Sequence, residues 1–205
     1  MFTGIVQGQA RVVAVDQRPG LSTLVLEFPE DRVQGVEIGA SVSINGTCLT
    51  VTRQQGNHLY FDAMQETLRL TTLGDLKEDH RVNFERAARI GDEIGGHLLS
   101  GHVHTTATVR RVEASENNLT LTFQVPKDWM KYIFAKGYIA VEGASLTIGT
   151  VTEDTFNVHL IPETLRVTTF ANLAGGDQVN IEIDSQTQTI VDTLARMGYD
   201  KPPQR

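Results

Sequence analysis

The chain's sequence is written twice, and this constrains its fold more than any other feature. Shifting the 205 residues by 97 positions lays the second half on the first with hardly a gap. Gly46-Thr47-Cys48-Leu49-Thr50-Val51 falls on Gly143-Ala144-Ser145-Leu146-Thr147-Ile148, and Glu66-Thr67-Leu68-Arg69 on Glu163-Thr164-Leu165-Arg166. Val82-Asn83-Phe84-Glu85 falls on Val179-Asn180-Ile181-Glu182, and Gly4 and Val6 fall on Gly101 and Val103. Two copies are too few for a solenoid, whose units share one continuous core over three or more repeats. Each copy must therefore close its own core, and about 97 residues suffice for that. Two similar halves can also present two similar binding sites.

The pattern inside each copy is that of strands. In the first, Ile5–Val15, Ser22–Phe28, Ala40–Ile44, Thr47–Thr52, His58–Met64 and Arg81–Arg86 are short runs rich in Val, Ile and Thr. Turn signals such as Asn45-Gly46 separate them. This spacing predicts a small antiparallel barrel or sandwich, with one short helix over Gln65–Leu73 before the last strand. The second copy repeats the plan from His102 to Glu182. Beyond it, Ile190, Val191, Leu194 and Met197 recur at helical spacing over Ser185–Met197. Asp184 or Ser185 is the expected N-cap, and Gly198 with Pro202-Pro203 the stop. The apolar stripe of this helix either docks on its own domain or packs against other copies of the chain. The division expected is 1–97 and 98–184 for the two barrels and 185–205 for the helix and tail.

Composition narrows the function. A net charge of −7 with no Lys/Arg block argues against nucleic acid or an anionic membrane as partner. No apolar run has the length of a membrane span, and Met1-Phe2-Thr3-Gly4-Ile5-Val6 lacks the features of a signal peptide. The expectation is a soluble, cytoplasmic protein. Its one cysteine, Cys48, rules out an internal disulfide. No phosphate loop, nucleophile elbow or paired-carboxylate signature occurs.

Strand alternation gives the sharpest local inference. Cys48, Thr50 and Thr52 share one face while Leu49 and Val51 share the other. Ser145 and Thr147 repeat this against Leu146 and Ile148. With the aliphatic face filling the barrel, each copy shows a rigid outward platform of small polar groups, suited to a flat polar ligand. Cys48 itself has no neighbouring base in sequence to make it reactive. Within Gly95-Gly96-His97-Leu98-Leu99-Ser100-Gly101-His102-Val103-His104, His102 and His104 share a strand face, but no third metal ligand suggests itself. One histidine at the ligand edge, relaying protons near neutral pH, is the better reading, and His104 reads as an exposed strand residue. Asp62–Thr67 and His159–Thr164 enter the short helices, where first-turn N–H groups suit hydroxyl-rich ligands; simple helix capping would explain the same residues.

These motifs together resemble the riboflavin synthase family of the alpha-chain, lumazine-binding-repeat type, over essentially the whole chain. The markers are Met1–Val6, Asn45-Gly46 with Cys48-Leu49-Thr50-Val51, Glu66–Arg69, Gly95–Val103 and His159–Thr164. The resemblance implies an all-β fold of two tandem six-stranded antiparallel Greek-key barrels with a C-terminal α-helix, assembled as a homotrimer. The implied reaction converts two 6,7-dimethyl-8-ribityllumazine molecules into riboflavin and 5-amino-6-(ribitylamino)uracil without metal or cofactor. Its site residues carry over as Gly4, Ile5, Val6, Cys48, Leu49, Thr50, Asp62, Ala63, Met64, Gln65, Glu66 and Thr67 for a first site. The second takes Gly101, His102, Val103, Lys136, Ser145, Leu146, Thr147, His159, Leu160, Ile161, Pro162, Glu163 and Thr164. Phe2, Ser41 and Asp184 match positions near the reacting centre, and Cys48, His102, Ser41 and Ser145 are the expected chemical groups. The partners implied are the lumazine, two further copies of the chain, and lumazine synthase. The rival class is a non-catalytic lumazine- or flavin-binding antenna protein of the same fold.

Overall fold

The computed structural model describes residues 1–116 and 118–199; Pro202-Pro203, expected to stop the last helix, lie outside the described residues. The first six strands are β1 (Gly8–Arg18), β2 (Leu21–Glu27), β3 (Ser41–Ile44), β4 (Thr47–Gln55), β5 (His58–Met64) and β6 (Arg81–Arg86). They form a closed antiparallel barrel in the order β1-β2-β5-β4-β3-β6. The second six are β7 (Thr105–Ala114), β8 (Leu119–Gln124), β9 (Tyr138–Val141), β10 (Ala144–Thr147), β11 (Thr155–Leu160) and β12 (Gln178–Ile183). Their order, β10-β9-β12-β7-β8-β11, repeats the first barrel without the last ladder. The gap follows from β10 being four residues long where β4 has nine. After Thr147 the Asn157 side chain and carbonyl take the N–H groups of Thr150 and Gly149, at 2.7 and 2.8 Å, in place of a strand pair.

Short helices α1 (Gln65–Leu70) and α3 (Pro162–Val167) precede β6 and β12, each followed by a 3₁₀ turn; α2 (Lys127–Met130) lies between β8 and β9. Helix α1 stops short of the expected Leu73 because Thr71 turns extended and caps the 3₁₀ turn at Leu73 N. Aliphatic and aromatic side chains alternate inward and fill both barrels, with Phe28 edge-on to Phe84 at 4.7 Å in the first.

The first strand begins later than its sequence suggests. Gly4 and Gly8, at φ +74° and +148°, take backbone conformations that L side chains avoid, and they divert residues 1–6 out of the first barrel's ladder, while Gln7 N still donates to Phe84 O. The diverted segment crosses to the second barrel, where Val6 joins the core. Phe2 and Leu99, equivalent positions in the two copies, pair as an antiparallel bridge with N–H···O bonds of 2.8 and 3.0 Å.

Around this bridge the two barrels meet with near two-fold symmetry. Glu85 accepts from Thr3 N, Thr3 Oγ1 and Gly4 N at 2.6, 2.8 and 3.0 Å. Its counterpart Glu182 accepts from Ser100 N, Ser100 Oγ and Gly101 N at 2.7, 2.8 and 3.1 Å. The amide of Asn83 donates to Glu142 O and accepts from Thr169 N, while that of Asn180 donates to Asn45 O and accepts from Thr72 N. The turns at Gly46 and Gly143 touch backbone to backbone, each at a positive φ; a Cβ on either would sit 2.8 Å from the other's nitrogen. Strands β6 and β12 are buried on both faces for this reason, one face toward a barrel core and one toward the other barrel.

Helix α4 (Ser185–Arg196) is capped by Asp184, which accepts from Thr187 N and Oγ1 at 2.9 and 2.7 Å. It docks on the second barrel through Val191, through Tyr132 Oη donating to Asp192, and through Gln188 bonded to His104. Ile190, Leu194 and Met197 stay exposed. Among the described residues, no helix is long and apolar enough to cross a membrane.

One turn residue breaks the symmetry chemically. Where the first turn has Asn45, the second has Glu142, buried, with one carboxyl oxygen 2.6 Å from Asn180 N. Burial outweighs that bond and the one to Thr72, and pushes the carboxyl up to about 8. Below the usual carboxylate range both folded and unfolded chains hold this proton. From there up to about 8 only the folded chain keeps it, so stability falls as pH rises. In Glu142→Gln that dependence should be gone. Urea unfolding at pH 5 and 8 should show the wild type losing ground to the variant, by up to about 1.4 kcal/mol per pH unit. Parallel losses would mean that Glu142 titrates normally.

Candidate active site

The expected platforms exist. Leu49 and Val51 fill the first barrel while Cys48 is half-buried and Thr50 and Thr52 are exposed. Leu146 and Ile148 fill the second while Ser145 is half-buried and Thr147 exposed. Ser41 pairs with Thr50 across β3 and β4, so the two hydroxyls share a face. Asp62 accepts from Thr23 Oγ1 at 2.7 Å, and its counterpart His159 bonds Thr120 Oγ1 at 3.0 Å, which fixes these side chains beside β5 and β11.

The grouping differs from a simple division by copy. Cys48 N donates to Gly101 O at 2.8 Å, and Ser145 N donates to Gly4 O at 2.8 Å. The first platform is therefore flanked by Gly101-His102-Val103 and the second by Gly4-Ile5-Val6, each supplied by the other copy. Both glycines are obligatory. They have φ values of +81° and +74°, and a Cβ on either would fall 2.5 Å from Cβ of Cys48 or of Ser145. Sequence alignment alone could not find this exchange, since Gly4 and Gly101 are equivalent and either grouping satisfies the repeat.

At the helix entrances Met64 and Ile161 provide no side-chain cap and are largely exposed, adding an apolar surface beside each polar platform. Glu66 and Glu163 are held instead by two hydrogen bonds each from Arg69 and Arg166, which keep both carboxyls below the usual range. Thr67 and Thr164 serve through their carbonyls, which accept from Thr71 and Thr168. Lys136 stands at φ +68°, where the first copy has Gly39 at +90°, with its backbone N–H on Ile148 O. Its side chain is exposed next to the second platform. A non-glycine residue in that conformation is a strained choice.

The histidines separate into three roles. His102 is exposed beside the first platform. His104, half-buried rather than exposed, spends both ring nitrogens on the protein: Nδ1 accepts from Ile183 N and Nε2 meets Gln188 Oε1. That leaves nothing with which to pair His102 on a metal, and no cluster of three metal-binding side chains occurs among the described residues. His97, which the sequence groups with His102 and His104 without giving it a role, is buried against Ser145.

Phe2 is 1% exposed and packs with Leu99, Ala140 and Cys48. Its ring backs the Cys48 platform from behind. A cleft of about 720 Å³ runs between the barrels past Asn45, Thr72, Glu142 and Thr169, yet includes none of the platform residues. The exposed Thr50 and Thr147 lie on open strand surface.

A family model for the lumazine binding domain matches residues 3–87 and again 100–184. Riboflavin synthase of Escherichia coli (strain K12) is 56% identical over 198 residues, covering 96% of this chain and 93% of that protein. Riboflavin synthase of Buchnera aphidicola subsp. Schizaphis graminum (strain Sg) is 44% identical, covering 96% and 95%. Among solved structures, LumP complexed with riboflavin superposes with a TM-score of 0.85 at 29% identity, covering 90% of this chain and all of LumP. LumP complexed with 6,7-dimethyl-8-(1′-D-ribityl) lumazine gives 0.83 at 29% identity, with the same coverage.

Removing the Phe2 ring should hollow out the support of Cys48. Phe2→Ala is expected to destabilise the fold by roughly 3–5 kcal/mol, the usual range for a buried Phe, and to lower turnover as well. Thermal melting and activity measured together check this; an unchanged melt with lost activity would place the ring in the site itself.

Proposed function

The chain belongs to the riboflavin synthase family of lumazine-binding-domain proteins and is an enzyme, and from that premise we propose that it dismutates two 6,7-dimethyl-8-ribityllumazine molecules. The products are one riboflavin and one 5-amino-6-(ribitylamino)uracil, formed by transfer of a four-carbon unit. The observation that carries this reading is the survival of a complete polar platform in both copies, Cys48 with Thr50 and Ser145 with Thr147, each flanked by a segment from the other copy.

The reaction joins two identical molecules, and a duplicated site is its natural scaffold. Holding two ring systems face to face makes the encounter intramolecular, worth about 7–11 kcal/mol of the barrier. Each platform is open strand surface, so a lid for the bound ring has to come from elsewhere. The proposed geometry closes the first platform of one subunit against the second platform of its neighbour in a homotrimer. Helix α4 holds the trimer through Ile190, Leu194 and Met197, the apolar residues it leaves exposed. At the junction the chemistry needs deprotonation of an acidic ring methyl, addition to the partner ring and proton transfers. His102, Cys48, Ser41 and Ser145 are the groups proposed for these, with Lys136 and Asp184 at the edge of the second platform. Association with lumazine synthase, and a place in the cytoplasm, complete the reading.

Incubation with the lumazine as sole substrate should give riboflavin at half the substrate consumed. Binding without product would favour the antenna-type reading. Calorimetry with a non-reacting lumazine analogue should find two molecules per chain with unequal affinity. Removal of residues 186–205 should dissociate the trimer and abolish turnover while leaving both barrels folded; a truncated protein that still sediments as a trimer would rule out assembly through α4.

A further inference from the structure

The two platforms are alike in backbone but not in the group behind them. His97 Nδ1 lies 2.6 Å from Ser145 Oγ, and among the described residues this is the only hydrogen bond of that hydroxyl. The imidazole is buried, stacked on Tyr138 with ring centres 5.1 Å apart and planes 21° from parallel. The segment is built onto Ser145. Any side chain on Gly96 would collide with Ser145 Cβ, at 2.6 Å, and with its Oγ, at 2.9 Å. At Cys48 the corresponding space is lined by Phe2 and Gly101, and no histidine among the described residues bonds its sulfur.

We propose that His97 is a positioning residue that holds the Ser145 hydroxyl as a hydrogen-bond donor aimed at the ligand on the second platform, giving one of two duplicated sites a chemistry the other lacks. The inference rests on the functional reading above. Its direction comes from the ring's far nitrogen, because Nε2 is buried with no partner. A bare N–H there would be a buried orphan donor, which proteins rarely tolerate, whereas an unpaired acceptor costs less. The hydrogen therefore sits on Nδ1 and is donated to Ser145 Oγ. That occupies a lone pair of the serine and leaves its own hydrogen free for the site. Burial also lowers the affinity of His97 for a second proton, against the opposing charge of Asp184. The ring thus stays neutral and its tautomer fixed. Cys48 offers only a thiol, a weak donor. An acceptor atom on the ring edge of the ligand, a carbonyl oxygen or ring nitrogen, is bound strongly at the second platform and weakly at the first.

Two measurements test this. Nitrogen-15 NMR of the wild-type imidazoles should show His97 protonated at Nδ1; protonation at Nε2 would overturn the proposal whatever the protein binds. Calorimetric titration with a non-reacting lumazine analogue then reads the two sites separately. His97→Phe should weaken one binding phase roughly tenfold, the order of one hydrogen bond, and spare the other. His97→Asn, whose amide nitrogen falls near Nδ1, should restore most of the loss. Ser145→Ala should weaken the same phase, and Ser145→Ala with His97→Phe should be no worse than Ser145→Ala alone. Additive losses, or equal weakening of both phases, would reduce His97 to packing and sink the idea. Binding that keeps this pattern in a protein with no turnover would support the assignment while failing the catalytic reading.

Discussion

Everything at the platforms depends on two buried carboxylates that each hold the entry of a barrel. Glu85 gathers the N–H groups of Thr3 and Gly4, and Glu182 those of Ser100 and Gly101. Such bonds to a charged acceptor are about twice as strong as neutral ones. They pin chain that would otherwise fray, the N-terminus in particular. Burial raises Glu85 all the same, so its stabilising charge is bought against desolvation, and the N–H donors are what make ionisation tolerable. With the two glycines pinned, the platforms receive their flanking segments: Gly101 reaches Cys48, and Gly4 reaches Ser145.

This arrangement explains why polar residues recur so faithfully in β6 and β12. On an isolated barrel Asn83, Glu85, Asn180 and Glu182 would face water. Here the outer face of each strand is the barrel-to-barrel contact, where every polar atom needs a partner. The asparagines bridge to the opposite turn and the opposite 3₁₀ segment, and the glutamates hold the crossing chain.

Much of the fold was legible because its signals are local. Alternation in Thr47–Val51 and Ala144–Ile148 predicted the faces found, and Asp184 was recognisable as a cap from its place before the last helix. The crossing of residues 1–6 was not legible. Ile5-Val6 reads as the start of a strand, and only the positive φ of Gly4 and Gly8 redirects it. The short β10 was hidden because Thr147-Ile148 continues the strand pattern, while the Asn157 contacts that end it come from a distant residue. The role of His97 was not legible for a different reason: it lies 48 positions from Ser145 in sequence and meets it only through the fold.

The Phe2–Leu99 bridge also bears on how such a chain can be made. Glu85 can take the N–H groups of Thr3 and Gly4 as soon as the first barrel's strands have left the ribosome, but Phe2 has no bridge partner until Leu99 emerges, and Gly4 O has none until Ser145 does. Meanwhile Cys48 waits for Gly101. Neither platform is flanked before the other barrel exists: a chain cut short after the first barrel carries an unbridged Phe2 and a Cys48 platform without Gly101. Duplication here produced two domains that mature as one.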